Sequence, residues 1–123
     1  MTLVFSPATI RIRMSKRELQ DSLKTITKRL TEDYKAEKVI LFGSAARGDF
    51  GQNSDLDILV LKRGVDKLDS LQRGREARAM LGDIDIPVDI LVHTPYEIEK
   101  RLYLRDPFFE KIFEEGKILY GRP

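Results

Sequence analysis

The 123-residue chain has no cysteine, no tryptophan, five prolines and a single histidine, His93. Without cysteine there are no disulfides, no thiolate nucleophile and no cysteine-based zinc or iron–sulfur site. One histidine leaves little room for a histidine metal cluster or a Ser-His-Asp triad. No apolar run approaches the roughly 20 residues of a membrane helix. Ser6-Pro7 interrupts the N-terminus after only a few apolar residues, so it does not read as a signal peptide. A cytoplasmic location with no membrane contact is therefore expected. The net charge is only +2, but it is unevenly placed. Residues 1–38 carry 9 basic and 5 acidic groups, residues 39–60 carry 1 and 3, residues 61–82 carry 6 and 3, and residues 83–123 carry 6 and 9. So small an excess does not predict direct nucleic-acid binding.

Apolar residues make up 41% and charged residues 34%, a globular composition. A chain of this length buries roughly two-thirds of its unfolded surface, enough for a core without a metal or disulfide staple. It reads as a single domain over residues 1–123, with residues 1–14 as an N-terminal arm in which Ile10, Ile12 and Met14 alternate as in a short strand. Ser15 and Glu18 form a capping box before a helix to about Tyr34, whose stripe is Leu19, Leu23, Ile26, Leu30 and Tyr34. Val39–Phe42 reads as a buried strand, Ser44–Gly48 as a helix start, and Gly51–Ser54 as a turn. Strands over Asp55–Leu61 and Pro87–Val92 bracket a weaker helix over about Asp66–Leu81, interrupted by Gly74. Thr94 and Glu97 make a second capping box, and Asp106-Pro107 opens a helix that Gly116 closes. Ile118–Tyr120 is a candidate edge strand. Helices alternating with strands predict an α/β (α+β) domain with a small sheet.

The chemistry concentrates in Leu41–Gly48 and Ser54–Val60. Gly43 stands where a strand turns into a helix, and its missing Cβ allows positive φ and close approach of a ligand. The N–H groups that follow, with the Ser44 hydroxyl, suit a phosphate. No Gly-Lys-Ser/Thr follows, so this is not a P-loop. Asp55 and Asp57, two apart on a strand, project from one face. Asp89, flanked by Val88 and Ile90 in the third strand, completes a three-carboxylate cluster if that strand neighbours the second; Asp83 and Asp85, ahead of Pro87, are its competitors. Like charges about 4 Å apart cost on the order of 4 kcal/mol per pair at an effective dielectric near 20. Such a cluster therefore calls for protonation or for bound cations, with Mg²⁺ or Mn²⁺ matching the hard oxygen ligands. A phosphate cradle beside divalent-metal carboxylates points to phosphoryl or nucleotidyl transfer. Arg47 is a candidate phosphate or partner contact. His93 is expected at a strand end, Arg73, Arg75 and Arg78 on a solvated helix face, and Phe108, Phe109 and Phe113 in the core or at a docking edge.

Gly43-Ser44, ten residues, then Asp55-x-Asp57 resembles the G-S-x₁₀-D-x-D signature of the minimal nucleotidyltransferases in the DNA polymerase β-like superfamily. Asp89 matches the third carboxylate of that family by its place in a downstream strand. The segment Pro107…Phe109…Glu115–Tyr120 resembles the end of antitoxin-type members, so the resemblance covers most of residues 15–120. It implies a mixed β-sheet with flanking helices and a partner, an all-helical HEPN-domain toxin. It also implies transfer of AMP from ATP to a tyrosine of that toxin, assisted by two Mg²⁺ ions. In this reading Asp55, Asp57 and Asp89 are the catalytic, metal-binding carboxylates, while Gly43, Ser44 and Arg47 hold the nucleotide. Ala45 departs from the large or basic residue that many relatives carry after the signature serine. Two alternatives are a nucleotidyltransferase with a small-molecule acceptor and a non-catalytic antitoxin that neutralises its partner by occlusion. Homo-oligomerisation is compatible with either.

Overall fold

A computed structural model describes residues 15–49 and 55–122. The expected N-terminal strand and the Gly51–Ser54 turn lie outside the described residues. Ser15 caps helix α1 (Lys16–Glu32) with both bonds of the capping box, Glu18 N to Ser15 Oγ at 3.1 Å and Ser15 N to Glu18 Oε1 at 3.0 Å. The cap supplies partners for two otherwise orphaned donors. Strand β1 (Lys38–Phe42) runs into the short helix α2 (Gly43–Arg47), which Gly48 ends in the left-handed conformation. Strand β2 (Leu56–Leu61), helix α3 (Ser70–Met80) and strand β3 (Val88–His93) follow. Helix α4 (Pro95–Tyr103), helix α5 (Pro107–Glu115) and strand β4 (Lys117–Tyr120) complete the described chain.

The four strands form one mixed sheet in the order β3-β2-β1-β4, with β2 and β3 parallel and the other pairs antiparallel. The fold is thus the expected α/β type, and β4 is an edge strand. Period-two alternation divides the core between the two faces. Val39, Leu41, Ile58, Val60, Ile90 and Val92 face α1 and α3, packing on Ile26, Leu30, Ala77 and Leu81. Ile40, Leu59 and Leu61 face the other way and pack with Ile98 of α4 and Phe109 and Ile112 of α5.

Helix α3 departs from its predicted bounds. Residues 66–69 form a turn, and the helix starts at Ser70 because Asp69 is its N-cap, paired with Gln72 in a third capping box. Gly74 does not break it. A Cβ there would stand 3.2 Å from the Ile90 carbonyl, so the glycine lets α3 press onto β3. Arg73 corrects the expectation of a solvated helix face, being only 6% exposed. Its Nε donates to the carbonyls of Val65 (3.0 Å) and Leu68 (2.9 Å), and its Nη1 to that of Val92 (3.3 Å). Its guanidinium also grips Glu97 at 2.7 and 3.2 Å. A buried charge is tolerable only with this degree of pairing. Charge count along a helix could not reveal it, because the partners come from a turn, a strand and another helix.

Candidate active site

The site grows from the register of the sheet. Phe42 pairs with Asp57 across β1 and β2, and Asp57 pairs with Asp89 across β2 and β3. These residues share the face that carries Ile40, Leu59 and Leu91 in the next row. The apolar face under α4 and α5 therefore ends in a row bearing two carboxylates. Phe108 of α5 closes that boundary edge-on to Phe42, with ring centroids 6.0 Å apart.

Gly43 follows Phe42 with φ +72°, a conformation that favours glycine. Its α-carbon lies directly against the Asp57 carboxylate: a Cβ would overlap Oδ2 and stand 3.2 Å from Cγ. Glycine is needed here twice, for the turn and for the approach. Phe42, at the N-cap of α2, provides no side-chain hydrogen bond, so nothing from that residue occupies the leading N–H groups of the turn. Ser44 is half-buried beside them, and its carbonyl accepts from Asp49 N at 3.0 Å. Buried Ala45 and Ala46 fix α2 against the core. The small residue after the serine is thus a packing residue here.

Arg47, at the last turn of α2, is exposed and lies 3.5 Å from Asp49 and 3.9 Å from Glu115. Asp55 directly precedes β2 and is exposed, as is Asp89, whereas Asp57 is half-buried. Burial first, then the charges of Asp89 and Asp55, hold the Asp57 carboxyl above the usual carboxylate range, while Arg47 draws it down. Asp83 and Asp85 lie in the loop between α3 and β3, outside the strand pairing that sets Asp89 beside Asp57.

Among the described residues, no three acidic or histidine side chains stand close enough to hold a metal ion as they are. The donor chemistry nevertheless fits one. All the groups are carboxylates, and they raise rather than relieve the cost of ionising Asp57, a repulsion that a hard divalent cation would reverse. His93 takes no part in this cluster. It ends β3, packs edge-on to Phe109 at 5.2 Å, and is held below its usual pKa chiefly by burial.

A glycine turn leading into a short helix is thus set against paired strand carboxylates. The chain belongs to the nucleotidyltransferase domain family, whose model matches residues 23–120. Two proteins of Methanocaldococcus jannaschii, each named a "putative protein adenylyltransferase", are similar to it. One is 36% identical over 58 residues, 47% of this chain and 56% of that protein, so this match spans little more than half the relative's length. The other is 28% identical over 103 residues, 82% of this chain and 97% of that protein. Among solved structures, a Sulfolobus solfataricus protein described as a "putative nucleotidyltransferase" shares the fold, with TM-score 0.57 and 21% identity over 97% of this chain and 91% of that one. A chain of a toxin-antitoxin crystal structure with AMP-PNP is 26% identical, with TM-score 0.54 over 81% of this chain and 73% of that one.

Proposed function

We propose that the chain, folding as one nucleotidyltransferase domain, is a divalent-metal-dependent protein adenylyltransferase that moves AMP from ATP to a hydroxyl of a partner toxin. The observation that carries this reading is the contact of the Gly43 backbone with Asp57, itself in register with Asp89. This contact puts the glycine turn against the carboxylates. The relatives named as protein adenylyltransferases support a protein acceptor, and the toxin-antitoxin neighbour supports an antitoxin role. The partner we infer is a HEPN-type toxin and the acceptor a tyrosine.

In this reading the N–H groups after Gly43 and the Ser44 hydroxyl hold the β- and γ-phosphates, and Arg47 adds positive charge beside them. Asp55, Asp57 and Asp89 would hold two Mg²⁺ ions, for which Mn²⁺ can substitute. When bound, these ions supply charge neutralisation at the triphosphate and activation of the acceptor hydroxyl. The acceptor oxygen bonds to the α-phosphorus, and the bond from that phosphorus to the β-bridging oxygen breaks. Pyrophosphate leaves, and Asp89 helps take the hydroxyl proton. The half-buried position of Asp57 keeps bulk water away from one side of its carboxylate.

The test is incubation of the purified protein with α-labelled ATP, Mg²⁺ and the product of the adjacent gene, with Asp57→Asn in parallel. Metal-dependent label on the neighbour that is absent with the variant is the expected result. A tight complex without label would instead favour neutralisation by occlusion, and label transferred only to a small hydroxylated compound would change the acceptor class.

A further inference from the structure

We propose that the cleft between α3 and the outer edge of β3 binds an acidic segment of the protein acceptor and leads its hydroxyl to Asp89. This rests on the reading of the chain as a protein-directed nucleotidyltransferase. A cavity of about 700 Å³ lies along this edge, lined by Leu71, Arg75 and Arg78 of α3 and by Val88, Asp89 and Leu91 of β3. It is continuous with the candidate active site because Asp89 belongs to both.

Three features define its occupant. First, the strand edge does not invite another strand. The Val92 carbonyl is taken by Arg73, and the Ile90 carbonyl is covered at Gly74. With these two carbonyls taken, an occupant is held mainly through its side chains. Second, Arg75 has no carboxylate partner among the described residues, and Arg78 donates to the Gly82 carbonyl at 3.1 Å without an acidic partner. Two guanidinium groups thus stand ready for carboxylates. Third, Leu71 is 62% exposed and offers an apolar wall beside them. A nucleic-acid strand matches this cleft poorly, because Arg75 and Arg78 are its only basic lining residues and a strand brings a phosphate at every nucleotide. A polypeptide can place its carboxylates at the arginines and a neutral hydroxylated residue at Asp89.

The experiment measures fluorescence anisotropy of a labelled peptide of about ten residues, alternating glutamate and leucine around one central tyrosine. The same peptide with lysine for glutamate is the control. The acidic peptide is expected to bind the wild-type protein about tenfold tighter, the effect of two partly exposed charge pairs, and to weaken with salt. The double variant Arg75→Glu, Arg78→Glu is expected to reverse this preference, with an unchanged thermal melt showing that it folds. Equal binding of the two peptides, no binding of either up to millimolar concentration, or unchanged preference in the double variant would overturn the proposal. So would displacement of the acidic peptide by a single-stranded RNA decamer that binds more tightly through the same arginines. Because binding is read without turnover, the two readings separate. Charge-dependent peptide binding without label on any protein leaves the cleft standing and removes the adenylyltransferase reading. Label on the partner that is indifferent to the double variant does the reverse.

Discussion

Charged groups stand at both ends of strand β3, and they are treated in opposite ways. Near its end, Arg73 gives its donors to three carbonyls and to Glu97, which also completes the capping box of Thr94. Every charge there is answered. The Arg73 guanidinium holds the Glu97 carboxyl down to about 2. Near its start, Asp89 lies beside Asp57, and both burial and like charge push the Asp57 carboxyl upward. A satisfied buried pair ties elements together, whereas an unsatisfied carboxylate row is retained at a cost to stability. Charge alone does not single out the candidate site; the missing compensation does.

This contrast can be broken most severely at Asp57. Asp57→Asn is expected to lower transfer about 10³-fold or more, about 4 kcal/mol of transition-state stabilisation, measured with labelled ATP. The same variant should melt at a higher temperature at neutral pH. Folding raises the Asp57 pKa, so the folded chain holds that proton more tightly than the unfolded one, and this contribution to stability is lost as the pH rises through the folded value. Removing the charge removes that penalty. Added Mg²⁺ should then raise the melting temperature of the wild type more than that of the variant.

At the other end, Arg73→Met should destabilise the fold by about 1–3 kcal/mol, because it leaves three carbonyls and the partly exposed Glu97 without their main donor. Urea unfolding measures this; retained transfer per folded molecule would separate it from a catalytic defect. Gly43→Ala joins both effects, with about 1–3 kcal/mol of backbone strain at φ +72° and displacement of the Asp57 carboxylate. Transfer should fall more than tenfold, and a variant with full activity would contradict the contact. The smallest effect is expected in acid. Stability from Glu97 is complete above its unfolded value near 4.5 and is lost as the pH falls through about 2. Glu97→Gln should flatten the unfolding profile across that window, as followed by circular dichroism.

Much of this architecture is legible in local sequence. The capping boxes at Ser15 and Thr94 and the Asp106-Pro107 start act within one helical turn, so local sequence is sufficient to place them. Asp69 and Gln72 belong to the same class of local signal, D-x-x-Q, but the acidic, basic and apolar mixture from Asp66 onward resembles the helix itself and masks the cap. The Gly43-Ser44 and Asp55-x-Asp57 spacing was equally visible, since a strand turn and a period of two are local properties.

The chain's own sequence thus determined where helices begin, which residues alternate across the strands, and which family it joins. Tertiary structure alone decided that Asp89 rather than Asp83 or Asp85 pairs with Asp57, because strand order and register join residues more than thirty positions apart. It also decided that Arg73 is buried while Arg75 and Arg78 line an open cleft, although all three share one short helix. The physical reason is that hydrogen-bond partners and like-charge neighbours act over a few ångströms in space, and only the packed fold brings these carbonyls, guanidinium groups and carboxylates within that range.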